Sequence, residues 1–185
     1  MKSLKLLLIT PLFLLAQEPN MMHPLINDFF QYVPIEKHHE YGKYVNTPIQ
    51  IDALEYITEP MKQYNATRDG KLQKMPYWTQ ATRVFYKSYK EENNLVSANA
   101  GVFIIKAYVG THVKEFQPMF REMSKALSDV KICPSMIDYA KILKAEHNIT
   151  EARKIAMEAA NICDGVRLMD EVTKNLVNNY KIISY

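Results

Sequence analysis

The chain has 185 residues, 48% of them hydrophobic and 23% charged, and a formal net charge of +3. That is the composition of one ordinary globular domain, long enough for a proper core and with no basic excess of the kind that nucleic-acid binding needs. Only 5 glycines and 9 prolines are present, which argues for helices over an all-β fold with its many glycine-rich turns.

In chain order, the first segment has the pattern of a secretory signal peptide. Lys2 and Lys5 precede an apolar run from Leu6 to Leu15, and Ala16 is followed by polar Gln17 and Glu18. Cleavage is expected after Ala16. The run is too short to span a bilayer, which takes about 20 apolar residues. No cysteine lies near the cleavage point, so a lipid anchor is not expected. Loss of Lys2 and Lys5 lowers the net charge from +3 to +1. The mature chain is therefore placed in the periplasm or outside the cell, with no stable membrane span and no nucleic-acid partner.

Residues 17–48 hold several prolines and little helical periodicity, together with Phe29, Phe30, Tyr32, Tyr41 and Tyr44. They are expected as an irregular, aromatic-rich arm that packs on the body of the protein or on a partner. From residue 49 to 185 the 3.6-residue period of helices takes over. Ile51, Leu54, Ile57 and Met61 mark a first helix, bent or ended near Pro60. Trp78, Ala81, Phe85 and Tyr89 mark a second, opened by Pro76 and closed by Asn93-Asn94. Ala98 to Tyr108 is apolar nearly all round, as in a helix buried on most faces, and Gly110 ends it. Val113, Phe116, Phe120, Met123, Leu127 and Val130 give a fourth helix, with Pro118 inside it or at a kink. Two more helices fill 134–162, and Leu168, Met169, Val172, Leu176 and Tyr180 give a seventh. The predicted fold is all-α, about seven helices in antiparallel hairpins.

The hairpin carries the only two cysteines, Cys133 and Cys163. Pro134 suits a first helical position. Asn148 suits a left-handed helix end, and Thr150 the cap of the next helix. Two helices of similar length joined by a short turn run antiparallel, which brings their outer ends together. A Cys133–Cys163 disulfide is predicted, in keeping with an oxidising compartment. The same stretch resembles a tetratricopeptide or Sel1-like repeat unit in Ala140, Leu143, Ile149, Glu151, Ala152, Ala156 and Ala159. Ala140 stands where that family has a glycine. The resemblance covers about 30 residues, 134–163, and implies a helical-hairpin scaffold of the sort that binds proteins.

Asn148-Ile149-Thr150 and Asn65-Ala66-Thr67 are glycosylation sequons. With Glu146 two residues before Asn148, the first resembles the extended acceptor site of Campylobacter-type bacterial glycosylation. Asn148 and Asn65 are thus candidate modification sites.

No motif of a catalytic centre, cofactor site or metal site stands out: no H-E-x-x-H, no G-x-S-x-G and no phosphate-cradling glycine loop. His38 and His39 flanked by Glu36 and Glu40 are adjacent residues on an arm and rarely face one ion. The expectation is therefore a binder of other proteins without catalytic residues, cofactor or metal. It would be an exported scaffold or adaptor, or a structural part of a periplasmic assembly such as a flagellar motor, by analogy alone. The alternative is a small-molecule carrier or a helical hydrolase with a pocket among the aromatic helices. Such hydrolases use two carboxylates that sequence spacing does not reveal.

Overall fold

A computed structural model describes residues 23–67 and 76–163. The predicted signal peptide and C-terminal helix lie outside the described residues. The fold is all-α: eight α-helices and no strand among the described residues. No described helix is long and apolar enough to cross a membrane.

The arm is more regular than its sequence suggests. It forms α1 (Pro24–Phe30), a 3-10 turn (Ile35–Lys37) and α2 (His38–Gly42). Each piece spans two turns or fewer, too short for a 3.6-residue period to declare itself. Pro24 sits in the first turn of α1, and His23 caps it by accepting the Leu25 N–H on Nδ1. Leu25, Ile26 and Phe29 are buried against α5, so the arm packs on its own chain. Tyr41 meets Phe29 edge-on with ring centroids 5.0 Å apart. The His38 Nε2–H is shared by the carbonyls of Phe30 and Val33, at 3.1 and 2.9 Å, which ties α2 back to α1.

Four helices follow: α3 (Pro48–Thr67), α4 (Pro76–Glu92), α5 (Leu95–Ile104) and α6 (Gln117–Asp129). Two prolines act differently from expectation. The helix runs through Pro60, where one missing N–H is outweighed by the rest of a 20-residue helix. Pro118 neither kinks nor interrupts α6 but opens it, in the first turn where its missing N–H has no partner to lose. Val113 and Phe116 therefore precede the helix in a turn. On α4, Trp78, Ala81, Thr82, Phe85 and Ser88 form the buried stripe. On α6 it is Phe120, Met123, Ser124, Leu127 and Ser128. Helix α5 is the core of the protein, with Val96 to Val102 all buried. Gly101 lets α6 come close, since a Cβ there would lie 2.9 Å from Met123 Sδ.

Beyond Ile104 the helix widens into a π-helical turn, Ile105–Val109, closed by the Gly110 N–H bonding to the Ile105 carbonyl at 2.7 Å. Gly110 stops it at φ +101°, a conformation that suits glycine.

The hairpin is α7 (Cys133–Ala145) and α8 (Ile149–Ile162), 13 and 14 residues long. Its small core of Met136, Ala140, Leu143, Ala152, Ala156 and Ala159 is separate from the main one. The Cys133–Cys163 disulfide closes the open end, with Cα atoms 5.6 Å apart. The tip differs from expectation by one residue. His147, not Asn148, takes the left-handed conformation at φ 62°. Asn148, not Thr150, caps α8, its side chain accepting the Glu151 N–H. The Asn148 N–H reaches back to the Leu143 carbonyl and that of His147 to Lys144, at 2.9 and 3.0 Å. That pair of bonds satisfies the last carbonyls of α7 in a Schellman motif. Asparagine is the better cap and is already committed to it, so the left-handed position falls to its neighbour.

From α3 to α8, each helix packs chiefly on its immediate neighbours within that run. Helix α1 is laid across α5 beside them.

Candidate functional site

Helix α5 is buried almost everywhere, but the chain it leads into is not. Phe103, Lys106 and Ala107 form an exposed strip at helical spacing. Lys106 is the only charge between Leu95 and Val109. The π-helical turn inserts one extra residue into the last turn. Its outcome is that Ile105 is buried while Lys106 and Ala107 are exposed. Tyr108 stacks on Trp78, ring centroids 4.1 Å apart and planes 8° from parallel. Single π-turns are rare and concentrate at functional sites.

Two clefts meet on this strip, sharing Lys106 and Asp138. The larger, about 730 Å³, lies between the π-helical turn, α6 and α7, with Phe120 and Ile142 among its apolar walls. The smaller, about 320 Å³, runs along Asn99, Phe103 and Ala107 to Asp28 and Tyr32 of the arm. At the waist, the Lys106 ammonium donates to Asp138 Oδ2 at 2.7 Å. Asp138 is 5% exposed. A carboxylate that deeply buried is costly without a compensating charge, so Lys106 is fixed in place by the fold. In the larger cleft Arg121 is bidentate to Glu146, through Nε at 2.6 Å and Nη2 at 3.1 Å. Hydrogen bonding to Glu146 raises the guanidinium above its already high value, so its charge is permanent. In the smaller one Asn99 Nδ2 donates to Asp28 at 3.0 Å, joining α5 to α1.

A second polar cluster sits at the opposite end of α5. Asn94 caps α5 by accepting the Ser97 N–H, and its amide donates to Thr47 Oγ1 and the Tyr44 carbonyl. Ser88 Oγ lies 2.8 Å from Ser97 Oγ and 2.6 Å from a Glu92 oxygen. A carboxylate only accepts, so the single Ser88 proton goes to Glu92, and the Ser97 hydroxyl donates to Ser88 in turn. Gln50 Nε2 donates to Ser97 at 3.0 Å and completes the chain. Burial works against the Glu92 charge. The hydrogen bonds from Ser88, Thr47, the Ile49 N–H and Asn94 overcome it and hold the carboxyl below the usual range. Every donor in this cluster points inward to another member, which makes it a structural clamp between the arm, α4 and α5.

The sequence-derived candidates scatter. Cys133 and Cys163 are joined. Asn148 is exposed at the hairpin tip, and Asn65 lies in α3. His38 bonds to carbonyls through Nε2, and His39 Nδ1 lies 2.8 Å from the Glu36 carbonyl, so those two nitrogens serve local turns. Among the described residues no three His, Cys, Asp or Glu side chains gather as a metal site. The Lys106–Asp138 pair escaped sequence reasoning because its members are 32 residues apart. The one available signal was a lone lysine in an otherwise apolar run.

No protein-family model matches the chain. No curated protein and no solved structure matches it either.

Proposed function

We propose that this protein is an exported, non-enzymatic binder of other proteins, a helical scaffold or adaptor that receives an extended segment of a partner across its central helix. The observation that carries this reading is the two-lobed cleft laid along the exposed strip Phe103–Lys106–Ala107. An elongated groove with a fixed charge at its waist suits a chain crossing it, with apolar side chains on either side. Neighbour-by-neighbour packing of α3 to α8 and the repeat-like α7–α8 hairpin support a scaffold. The signal-like N-terminus and the Cys133–Cys163 bond support export to an oxidising compartment, with an envelope assembly as the setting. Lys106 with Asp138, Arg121 with Glu146 and Asn99 with Asp28 are paired within the cleft, an arrangement for holding and orienting.

A second reading, a carrier of a small molecule, is favoured by the size of the larger lobe, which falls within the range of ligand pockets.

The test is site-specific photo-crosslinking in the native envelope. A benzophenone side chain at Phe103, inside the cleft, is expected to link the protein to a discrete partner. The same group at Tyr56, exposed on α3, is expected not to. Lys106→Glu should suppress the Phe103 crosslink. Equal labelling from both positions, or none from Phe103, would overturn the reading.

A further inference from the structure

The larger lobe has a chemistry of its own. Lys106 and Arg121 both line it. An ammonium has three N–H donors, and Lys106 uses one, on Asp138. A guanidinium has five, and Arg121 uses two, on Glu146. Arg121 also lies over the Tyr139 ring, 5.9 Å from its centroid, a contact of the guanidinium face that takes up none of its N–H donors. Charge-assisted donors therefore remain at two fixed cations, while the apolar wall beside them is built from Pro118, Phe120, Ile142 and Ala145. Arginine in particular matches the planar fork of a carboxylate.

We infer that the larger lobe is a carboxylate site, and that its occupant is the free C-terminus of a partner chain ending in an apolar residue. The inference rests on the protein-binding reading above. The terminal carboxylate takes the open donors of Lys106 and Arg121, and the last side chain lies on Phe120 and Ile142. The preceding residues cross the Lys106–Asp138 waist into the smaller lobe, towards Phe103. The continuity of the two lobes through that waist selects a chain end over a free acid, which would fill one lobe only. The cations are held at the ends of ion pairs, so the site is formed before the ligand arrives.

The experiment is amide-resolved NMR titration of the folded full-length protein with three probes. They are 4-phenylbutyrate, its primary amide, and the acetylated tripeptide Ala-Ala-Phe with a free carboxylate. The acid is expected to shift the Lys106 and Arg121 region saturably in the millimolar range, and the amide about tenfold more weakly. The tripeptide is expected to bind more tightly than the acid and to extend the shifts to Phe103 and Asn99. Arg121→Gln should abolish the preference for acid over amide while leaving the remaining spectrum in place. Lys106→Met should do the same. Since it removes a compensating charge beside the buried Asp138, the surface variant Arg121→Gln decides the matter if Lys106→Met does not fold. Equal shifts by acid and amide, or no saturable shift by about 20 mM, overturn the carboxylate site. Equal affinity of tripeptide and phenylbutyrate, with shifts confined to the larger lobe, overturns the chain-end assignment in favour of a small acid. Failure of this site with a positive crosslink from Phe103 leaves the protein-binding reading standing, whereas loss of that crosslink removes the reading itself.

Discussion

At the scale of single residues, two kinds of local compromise are visible, and both can be relieved. Ser124 and Ser128 lie one turn apart on the buried face of α6, 0% and 1% exposed, and neither hydroxyl has a hydrogen-bond partner. A buried hydroxyl without a partner costs roughly 1–3 kcal/mol. Ser124→Ala and Ser128→Ala remove that cost and raise helix propensity. Each is expected to stabilise the protein by about 1 kcal/mol in urea unfolding. A loss of stability in both would reveal a hydrogen bond that these hydroxyls make through water. The second compromise is backbone. With few glycines, the chain places His147 and Lys131 in the left-handed region at helix ends, at φ 62° and 66°. That conformation costs an L-residue about 1–2 kcal/mol, against the entropic penalty of glycine at about 0.5–1 kcal/mol. His147→Gly should therefore gain a few tenths to about 1 kcal/mol. The Asn148 N–H to Leu143 carbonyl bond should persist, as read from hydrogen exchange at that amide.

At the scale of elements, most of the helices were legible and the junctions were not. The α6 stripe could be read because Phe120, Met123 and Leu127 hold one face over about two turns, and the hairpin because proline, asparagine and cysteine mark its ends. The helical pieces of the arm were missed because seven residues or fewer carry no measurable period. The π-helical turn was missed because a single inserted residue breaks the very period being counted. The exchange of roles between His147, Asn148 and Thr150 shows a different limit, since asparagine suits two adjacent positions and only the fold decides between them. The candidate cleft was the least legible feature, being made by residues of α5, α6 and α7 that no spacing connects. Among the described residues, helix α8 packs essentially on α7 alone, over an alanine face and the Cys133–Cys163 bond. Closing a loop of 30 residues is worth about 3–4 kcal/mol in the chain-entropy model. The double variant Cys133→Ala, Cys163→Ala should melt roughly 6–12 °C lower and be insensitive to reductant. Its loss of hydrogen-exchange protection should concentrate in α8, with α4 to α6 close to the wild-type pattern. A uniform loss across all helices would show that the hairpin is not the separate unit its own small core suggests.

At the scale of the whole molecule, two glutamates serve as acceptors between elements. Glu92, at the end of α4, accepts from Thr47 Oγ1 at 2.6 Å and from the Ile49 N–H at 3.4 Å, and so anchors the start of α3. Glu122, on α6, accepts from Tyr86 at 2.5 Å and pairs with Lys90, which joins α6 to α4. Hydrogen bonds from Lys90 and Tyr86 hold Glu122 below the ordinary value of 4.5, just as Glu92 is held by its own donors. A carboxyl depressed in the folded state binds its proton more readily when unfolded. Its contribution to stability is therefore complete above the ordinary glutamate value. It is lost as pH falls through the lower folded value. The contribution of these two glutamates should accordingly be flat from about pH 7 to 5 and decline below about pH 4.5. Both side chains are partly solvated, so the two together are expected to account for only about 1 kcal/mol of that decline. The variant Glu92→Gln, Glu122→Gln keeps an acceptor oxygen at each position and removes both charges. It should be less stable than the wild type at pH 7, the two curves converging as pH falls below about 4.5, where only the wild type takes up protons. Urea midpoints at closely spaced pH values measure this directly. Parallel curves, with the variant lower by the same amount at pH 3 as at pH 7, would show that these glutamates act through shape and hydrogen bonding and not through their charge.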